Sequence, residues 1–304
     1  MSYTEFRELI LEALQGIIPK NITVKLVSAE KLNSCVRHGI MFERAELNYS
    51  PTIYLEPFYS SFQKGCSIEK LAEELYCCYR EETGQVPDCI QMLQQYEAAK
   101  AYIFCKLIHI EENRRLLAET PHRIYLDFAI VPYFEVNGEQ LYKGSVLLKN
   151  TYLSYWKVSE EELLDYAIEH TKKVKGVLLR PMTEVLDSFL SEEDVEFAKH
   201  AGHEMYVLTN TEKFLGAMQI YFPDVLEMVS RRLKGDYYLL PSSVHEWIVV
   251  PAAQVLEREL LFTMVREVNE TEVLEEEVLS NNIYLYSASS QKIYIYQHII
   301  DKND

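Results

Sequence analysis

The chain has 304 residues, of which 48% are hydrophobic and 12% aromatic, and it carries a formal net charge of −17. This much apolar material is enough for a large core, and so negative a chain is repelled by a phosphate backbone, so we exclude nucleic acid as a ligand. The longest apolar runs are only as long as a strand, and four charged side chains interrupt the first 16 residues. Membrane-spanning helices and signal peptides need longer or uncharged apolar stretches, so we expect a cytoplasmic protein without a membrane partner.

The negative charge is concentrated in the later part of the chain. Residues 1–110 hold 11 basic and 14 acidic side chains, a net of −3, which leaves −14 for residues 111–304. One interpretation is a protein partner with a basic surface, and the alternative is that the charge serves solubility alone. The oligomeric state is not indicated by the sequence.

Six cysteines lie in the first third of the chain, at positions 35, 66, 77, 78, 89 and 105. They contain no CxxC pair, so their spacing indicates neither a disulfide framework nor a zinc site. We expect buried or half-buried thiols. Cys77 is the exception because it lies beside the polar face of its predicted helix.

The first part of the chain predicts helices at both ends of a group of strands. Ser2 and Glu5 have capping-box spacing, and Ser67 precedes a strongly amphipathic stretch. The pattern predicts a helix over 2–16, strands over 22–29, 35–47 and 51–57, and a second helix that starts after Ser67 and stops at Gly84.

The rest of the chain alternates between strand pairs and helices. Asn137-Gly138 predicts a hairpin between two apolar runs, and Ser159 precedes an acidic first helical turn. We predict strands over 101–110, 124–136, 140–149, 205–209, 217–221, 237–240, 247–250, 283–286 and 293–296. We predict helices around Arg114 and over 159–168, 223–233, 254–268 and 269–279, the last capped by Asn269.

This order of elements predicts an α+β fold of mixed, mainly antiparallel sheets with flanking helices. Two lobes are expected, an N-terminal α+β lobe over 1–112 and an acidic C-terminal α+β lobe over 113–304. One continuous domain is the alternative, because no linker marks the boundary.

Several segments carry recognisable sequences: Pro121-His122 with 126–131, 156–163 running on to 169–171, 205–210, Gly216-Ala217, 239–246 and 264–273. In combination they resemble a bacterial family known as domain of unknown function 5688, and the resemblance covers most of the chain. Two of the phrases are also similar to another uncharacterised bacterial family. The resemblance implies no activity, cofactor or catalytic residue. His170 departs from the pattern, which leads us to expect asparagine there.

The loop from Asp236 to Glu246 is the most suggestive candidate site. It places the hydroxyls of Ser242 and Ser243, the imidazole of His245 and two carboxylates between predicted strands. A hydroxyl nucleophile needs a base and an orienting acid, and Ser243, His245 and either Glu246 or Asp236 supply these groups. Against catalysis, Glu246 points away from the other two in an extended segment and no glycine marks a nucleophile elbow. Hydrogen bonds that form turns are the structural alternative.

Metal and cofactor sites have weaker support. His200 and His203, followed by Glu204, have H-x-x-H spacing instead of the i, i+4 pair of a helical zinc site, and histidines at a helix C-terminus explain them more simply. The glutamate runs 160–162 and 275–277 are interpreted as first turns of helices. The chain contains no P-loop, dinucleotide fingerprint or HExxH motif, so we expect no cofactor.

Two hypotheses follow for function. The first is a non-catalytic, cytoplasmic protein-interaction or regulatory protein, suggested by the missing catalytic motifs and the acidic later part of the chain. The second is a hydrolase or transferase that uses the loop 242–246. The second requires Ser243 and His245 to lie in a cleft, within about 3 Å of each other or of a distant partner such as Asp127.

Overall fold

The computed structural model describes residues 1–44, 52–82, 89–137, 143–186, 205–255 and 257–296. These residues contain eleven α-helices and thirteen strands in three antiparallel sheets, which confirms the α+β prediction. The chain separates into two compact units, Met1–Met92 and Leu93–Asp304. None of the described helices is both long and apolar enough to cross a membrane.

The first unit packs helices on one three-stranded sheet. Its elements are α1 (Tyr3–Ile17), β1 (Thr23–Glu30), β2 (Val36–Glu43), β3 (Thr52–Tyr54), α2 (Glu56–Gln63), α3 (Ile68–Glu82) and α4 (Cys89–Met92), with strand order β1-β2-β3. The Ser2 hydroxyl accepts a hydrogen bond from the Glu5 amide, and the Glu5 carboxylate accepts one from the Ser2 amide, so the predicted capping box is confirmed. Phe6, Ile10 and Leu14 of α1 belong to the buried core of this unit.

The second unit begins with a four-stranded sheet. Its elements are α5 (Tyr96–Ala99), β4 (Ile103–His109), α6 (Arg114–Ala118), β5 (Arg123–Tyr125), β6 (Phe128–Asn137), β7 (Lys143–Leu147), α7 (Asn150–Trp156) and α8 (Glu160–Lys175), and β6 pairs with β4, β5 and β7. Residues 93–112 belong to this unit, in which β4 pairs with β6. The Asn-Gly turn predicted between β6 and β7 lies outside the described residues, but the two strands do pair.

One predicted strand is two strands in the structure. Residues 124–136 are divided between β5 and β6 by a two-residue turn in which Leu126 adopts a left-handed conformation, with φ of 58°. The turn brings Tyr125 opposite Phe128 and leaves Asp127 at its tip. Asp127 is the single charged residue within 124–134, a mostly apolar run, so periodicity alone did not reveal the turn.

A six-stranded sheet completes the second unit. Its elements are β8 (Leu178–Pro181), α9 (Met182–Leu186), β9 (Tyr206–Thr209), a 3-10 helix (Gly216–Tyr221), α10 (Pro223–Leu233), β10 (Tyr237–Ser243), β11 (Glu246–Pro251), α11 (Arg258–Thr271), a 3-10 helix (Glu275–Glu277), β12 (Ile283–Ser287) and β13 (Lys292–Tyr296). The strand order is β13-β12-β10-β11-β9-β8.

Two sequence predictions in this region were wrong. Residues 217–221 form a 3-10 helix instead of a strand, and residues 216–220 are all buried. Asn269 does not cap a second helix, because α11 continues to Thr271 and only the short 3-10 helix follows. The Asn269 side chain is buried and donates to the Ser280 carbonyl and to Asn281 Oδ1. Its amide therefore binds residues 11 and 12 positions further along the chain and does not cap a helix.

Helix α8 covers the free edge of β4. The Thr171 hydroxyl accepts a hydrogen bond of 2.8 Å from the Cys105 amide, and His170 Nδ1 lies 2.9 Å from the Ile103 carbonyl, to which it donates. An exposed edge strand would leave these backbone groups open to pairing with another chain. His170, the departure from the family pattern, thus closes a sheet edge.

A buried ion cluster fixes the end of α8. Lys175 is 1% exposed, and its Nζ lies 2.6 Å from both Glu135 Oε2 of β6 and Glu212 Oε2 of the loop 210–216. The ammonium also lies 4.0 Å from the centre of the Phe104 ring. One side chain therefore joins α8, the first sheet of this unit and the loop that follows β9.

Candidate functional site

The hairpin between β10 and β11 holds the residues singled out from the sequence. Ser243 and Glu246 pair across the tip, with Val244 and His245 between them. The Ser243 side chain is buried, and its hydroxyl accepts a hydrogen bond of 3.1 Å from the His245 amide. The hydroxyl therefore stabilises its own turn.

Both ring nitrogens of His245 have partners outside the hairpin. Nδ1 accepts a hydrogen bond of 2.9 Å from the Leu215 amide, and Nε2 lies 3.4 Å from Glu277 Oε1. Because Nδ1 acts as an acceptor, the neutral ring carries its hydrogen on Nε2, which faces the carboxylate. The imidazole links the hairpin to the loop 210–216 and to the 3-10 helix 275–277.

The carboxylates of the candidate loop lie apart. Glu246 is half-buried beside His245, and burial raises the pKa of its carboxyl above the ordinary value, against the opposing charges of His245 and Lys213. Asp236 precedes β10, and its carboxylate accepts a hydrogen bond of 2.8 Å from the Ala288 amide. The seven residues of β10 separate Asp236 from the hairpin tip, a distance of roughly 20 Å.

The structure thus brings Ser243, His245 and Glu246 into one turn and leaves Asp236 at the far end of the strand. Ser242 is half-buried on β10. Among the hydrogen bonds of the described residues, none joins the Ser243 hydroxyl to the His245 ring, and Asp127 bonds with Tyr284 and Asn282. The polar atoms of this turn therefore serve the packing of the hairpin.

Gly216 allows the 3-10 helix to approach the hairpin tip. A Cβ at this position would lie 2.2 Å from Thr209 Oγ1 and 2.7 Å from the His245 carbonyl oxygen. The next residue, Ala217, accepts a hydrogen bond of 2.8 Å from the Trp247 indole. The absence of a side chain at Gly216 is what permits this close contact.

No metal cluster is present in the part of the chain that the structure describes: no group of three His, Cys, Asp or Glu side chains is placed to hold an ion. His200, His203 and Glu204 lie outside that part. Of the cysteines whose side chains are described, Cys35 and Cys105 are buried, Cys66 and Cys78 are half-buried, and Cys77 is exposed, as the sequence indicated. Burial raises the pKa of the Cys105 thiol and makes it unreactive.

An acidic surface that we name the α11 surface covers the outer side of α11 and the 3-10 helix after it. Residues 257–277 include eight glutamates and two arginines. Leu260 and Leu274 are 63% and 54% exposed, more than any other leucine whose side chain is described. The exposed residues of the α11 surface are Glu257, Arg258, Glu259, Leu260, Thr263, Arg266, Glu267, Glu270, Thr271, Glu272, Leu274 and Glu275.

Three consecutive apolar residues in the sequence already implied that one of them is exposed on α11, but the helical period did not show which one. Leu260, Leu261 and Phe262 are consecutive, and three neighbouring positions on a helix cannot all face one core. In the structure Leu261 and Phe262 are buried and Leu260 is outside.

Comparison with known proteins places the chain in a family without adding an activity. No curated protein and no solved structure matches it. The model of the family of unknown function DUF5688 matches residues 3–288, nearly the whole chain. The chain therefore belongs to the DUF5688 family.

Proposed function

We propose that this chain is a non-catalytic interaction protein of the bacterial cytoplasm that docks a basic, amphipathic segment of a partner protein on the α11 surface. The observation that carries the proposal is the exposure of Leu260 and Leu274 among the glutamates of that surface. A single exposed leucine is ordinary. Two leucines within a strongly negative surface offer both contacts that a basic amphipathic helix makes, one apolar and one ionic.

The arrangement of α11 supports a helical partner. Leu260, Thr263 and Glu267 are exposed at helical spacing, so they form a stripe along the outer side of α11, opposite the buried Leu261 and Val265. Leu260 lies in the first turn of α11, and Leu274 lies three residues after the last residue of that helix, Thr271.

The hairpin tip supports a role without catalysis. The Ser243 hydroxyl and both His245 nitrogens are engaged in contacts that hold loops together. A nucleophile with its base would need the hydroxyl directed at the ring. Binding at the α11 surface uses none of these groups.

A synthetic peptide tests the proposal directly. The probe is a labelled helical peptide of about 16 residues with a leucine stripe and lysines elsewhere, and its comparison peptide carries glutamate for every lysine. Binding is followed by fluorescence anisotropy at several salt concentrations. We expect the lysine peptide alone to bind, with an affinity that falls as salt rises.

Matched variants locate the binding surface. Glu267→Lys with Glu270→Lys reverses two charges on the α11 surface, and Glu69→Lys with Glu73→Lys makes the same change on exposed positions of α3. We expect the first pair to weaken peptide binding at least about tenfold and the second to leave it unchanged. Equal weakening by both pairs would show general attraction to an acidic protein and would contradict the proposal.

The same variants apply to the natural partner. A protein captured from bacterial lysate by the wild type and by the α3 variant, but lost from the α11 variant, would support docking at this surface. Retention by all three proteins would place the partner elsewhere and refute the assignment.

A further inference from the structure

Two side-chain acceptors of different chemistry hold the amides of the loop 210–216. Asn210 Oδ1 accepts hydrogen bonds of 3.1 and 3.3 Å from the amides of Glu212 and Phe214, inside the loop. The amide of Leu215 instead donates at 2.9 Å to His245 Nδ1, at the tip of the β10–β11 hairpin. The oxygen of an asparagine side chain does not titrate near neutral pH, whereas the ring of a histidine does.

Leu215 is held in an unfavourable backbone conformation. Its φ is 52°, in the left-handed region, where the Cβ of a leucine crowds the following carbonyl oxygen. Its side chain is buried, and the next residue, Gly216, packs against Thr209 and the hairpin. Lys213, two residues earlier, is left-handed as well, with φ of 55°. The bond to His245 thus helps to hold a strained segment, which can relax once the bond is broken.

The hydrogen bond from the backbone fixes the state of the His245 ring. A backbone N–H can only donate, so Nδ1 offers its lone pair to Leu215 and carries no hydrogen. The hydrogen of the ring is then on Nε2, which lies 3.4 Å from Glu277 Oε1. When the ring takes up a hydrogen ion, both nitrogens become donors, and the new N–H at Nδ1 meets the N–H of Leu215. The imidazolium is therefore incompatible with the bond between the hairpin and the loop.

The charged groups around the imidazole determine which of its two contacts survives. Glu277 lies against Nε2, Glu246 follows on β11, and Lys213 of the loop lies near Glu246. The two carboxylates favour the imidazolium and Lys213 opposes it, while β9 and the 3-10 helix 216–221, which also contact the hairpin, contain no Asp, Glu, Lys or Arg. Nε2 donates in both states of the ring. Uptake of a hydrogen ion therefore strengthens the contact with Glu277 and breaks the one with Leu215.

We propose that His245 is a pH-sensitive latch between the β10–β11 hairpin and the loop 210–216. At neutral pH the ring accepts the Leu215 amide and the latch is closed. In the mildly acidic range, where imidazoles take up hydrogen ions, the ring becomes a double donor, stays on Glu277 and releases Leu215. Opening is confined to the end of the loop, because the acceptor supplied by Asn210 does not titrate and keeps the earlier amides in place.

Amide hydrogen exchange followed by NMR tests the latch residue by residue. The quantity measured is the protection factor of each amide in the full chain at about pH 7.5 and about pH 5.5, corrected for the intrinsic effect of pH on exchange. We expect the protection of the Leu215 amide to fall at least about tenfold at the lower pH. The amides of Glu212 and Phe214 are controls in the same loop and should change less than about twofold.

The state of the His245 ring is measured on the same sample. Nitrogen chemical shifts of the ring distinguish a hydrogen on Nε2 from a hydrogen on Nδ1. We expect the form with hydrogen on Nε2 at about pH 7.5 and the doubly protonated form at about pH 5.5. A hydrogen on Nδ1 at neutral pH, or a ring that stays singly protonated throughout, would overturn the proposal.

Three variants separate the titration of His245 from general effects of acid. His245→Asn supplies an oxygen that accepts but does not titrate, attached where Nδ1 is attached, so Leu215 should stay protected at both pH values. His245→Leu removes the acceptor, and Leu215 should lose its protection at both. Glu277→Gln keeps a polar partner for Nε2 but removes the charge, so opening should require a lower pH.

Each result supports or overturns the latch. Unchanged protection of Leu215 in the wild type, an equal loss at Glu212 and Phe214, or pH dependence that persists in His245→Asn would each overturn it. Circular dichroism shows whether the variants fold. If they do not, the comparison of Leu215 with Phe214 in the wild type still decides.

Discussion

Replacing Lys175 by methionine should destabilise the second unit strongly, because it breaks a buried ion cluster from one side. Methionine keeps the apolar length of the side chain against Phe104 and removes the ammonium. Glu135 is 3% exposed, so its carboxylate would remain in the core with the Tyr133 hydroxyl, 3.4 Å away, as its described partner. Glu212 is 28% exposed at its side chain and loses less, since water can reach it.

The magnitude follows from the burial of Glu135. Removing one partner of a buried ion pair typically costs about 3–5 kcal/mol, whereas replacing both partners by neutral groups is close to neutral. We therefore expect Lys175→Met to lower the free energy of unfolding by about 3–5 kcal/mol. Lys175→Met combined with Glu135→Gln should recover most of this loss, because no uncompensated charge stays buried.

Urea unfolding followed by tryptophan fluorescence measures this effect in the right place. The chain has two tryptophans, Trp156 and Trp247, and both belong to the second unit, so the fluorescence reports that unit alone. A loss below about 1 kcal/mol for Lys175→Met would refute the reasoning. A double variant as unstable as the single one would show that packing, and not charge, caused the loss.

Two further predictions concern the hairpin tip. Gly216→Ala should lower the free energy of unfolding by about 1–3 kcal/mol or more, because its Cβ would overlap Thr209 and His245. Gly235→Ala is the control and should be neutral in the same urea assay, because nothing lies within 4 Å of a Cβ at that position. Burial raises the pKa of Glu246, so the folded state binds its proton more tightly and stability falls as pH rises above the ordinary carboxyl range. Glu246→Gln should therefore raise the melting temperature at neutral pH, with a difference that shrinks toward pH 4; a constant difference would contradict this.

The elements that the sequence predicted well are those with local causes. Ser2 and Ser159 cap helices through hydrogen bonds to residues three positions away, and Pro223 begins α10 where its missing amide hydrogen costs nothing. Each of these contacts lies within a few residues of the chain. A periodic pattern and a capping residue are sufficient to locate such helices.

The errors arose where distant residues decide the conformation. Residues 217–221 are mostly apolar, like a buried strand, but they form a 3-10 helix whose first residue, Gly216, lies against Thr209 and His245. Asparagine is a residue type favoured at helix N-caps, yet the partners of Asn269 are Ser280 and Asn281. No window of a few residues contains these partners, so local preference could not identify the outcome.

The same distinction explains why the hairpin residues were prominent in the sequence analysis and Asp127 was not. Ser243, His245 and Glu246 were prominent because they are neighbours, but the partners of His245 are Leu215 and Glu277, 30 and 32 residues away. Asp127 was named only as a distant alternative, and its partners are more than 150 residues away.

Residues 269–282 connect the α11 surface with the hydrogen bonds of Asp127. Asn269 lies on the inner side of α11 and donates to Ser280, which reaches Asp127 through Tyr284, whereas Glu267 and Glu270 lie on the outer side. The same segment is tied to the hairpin by the Val244 amide, which donates to the Glu277 carbonyl at 2.9 Å. Charge reversal on the outer side therefore leaves these inner hydrogen bonds in place. Peptide docking can consequently be tested without disturbing the contacts of Asp127.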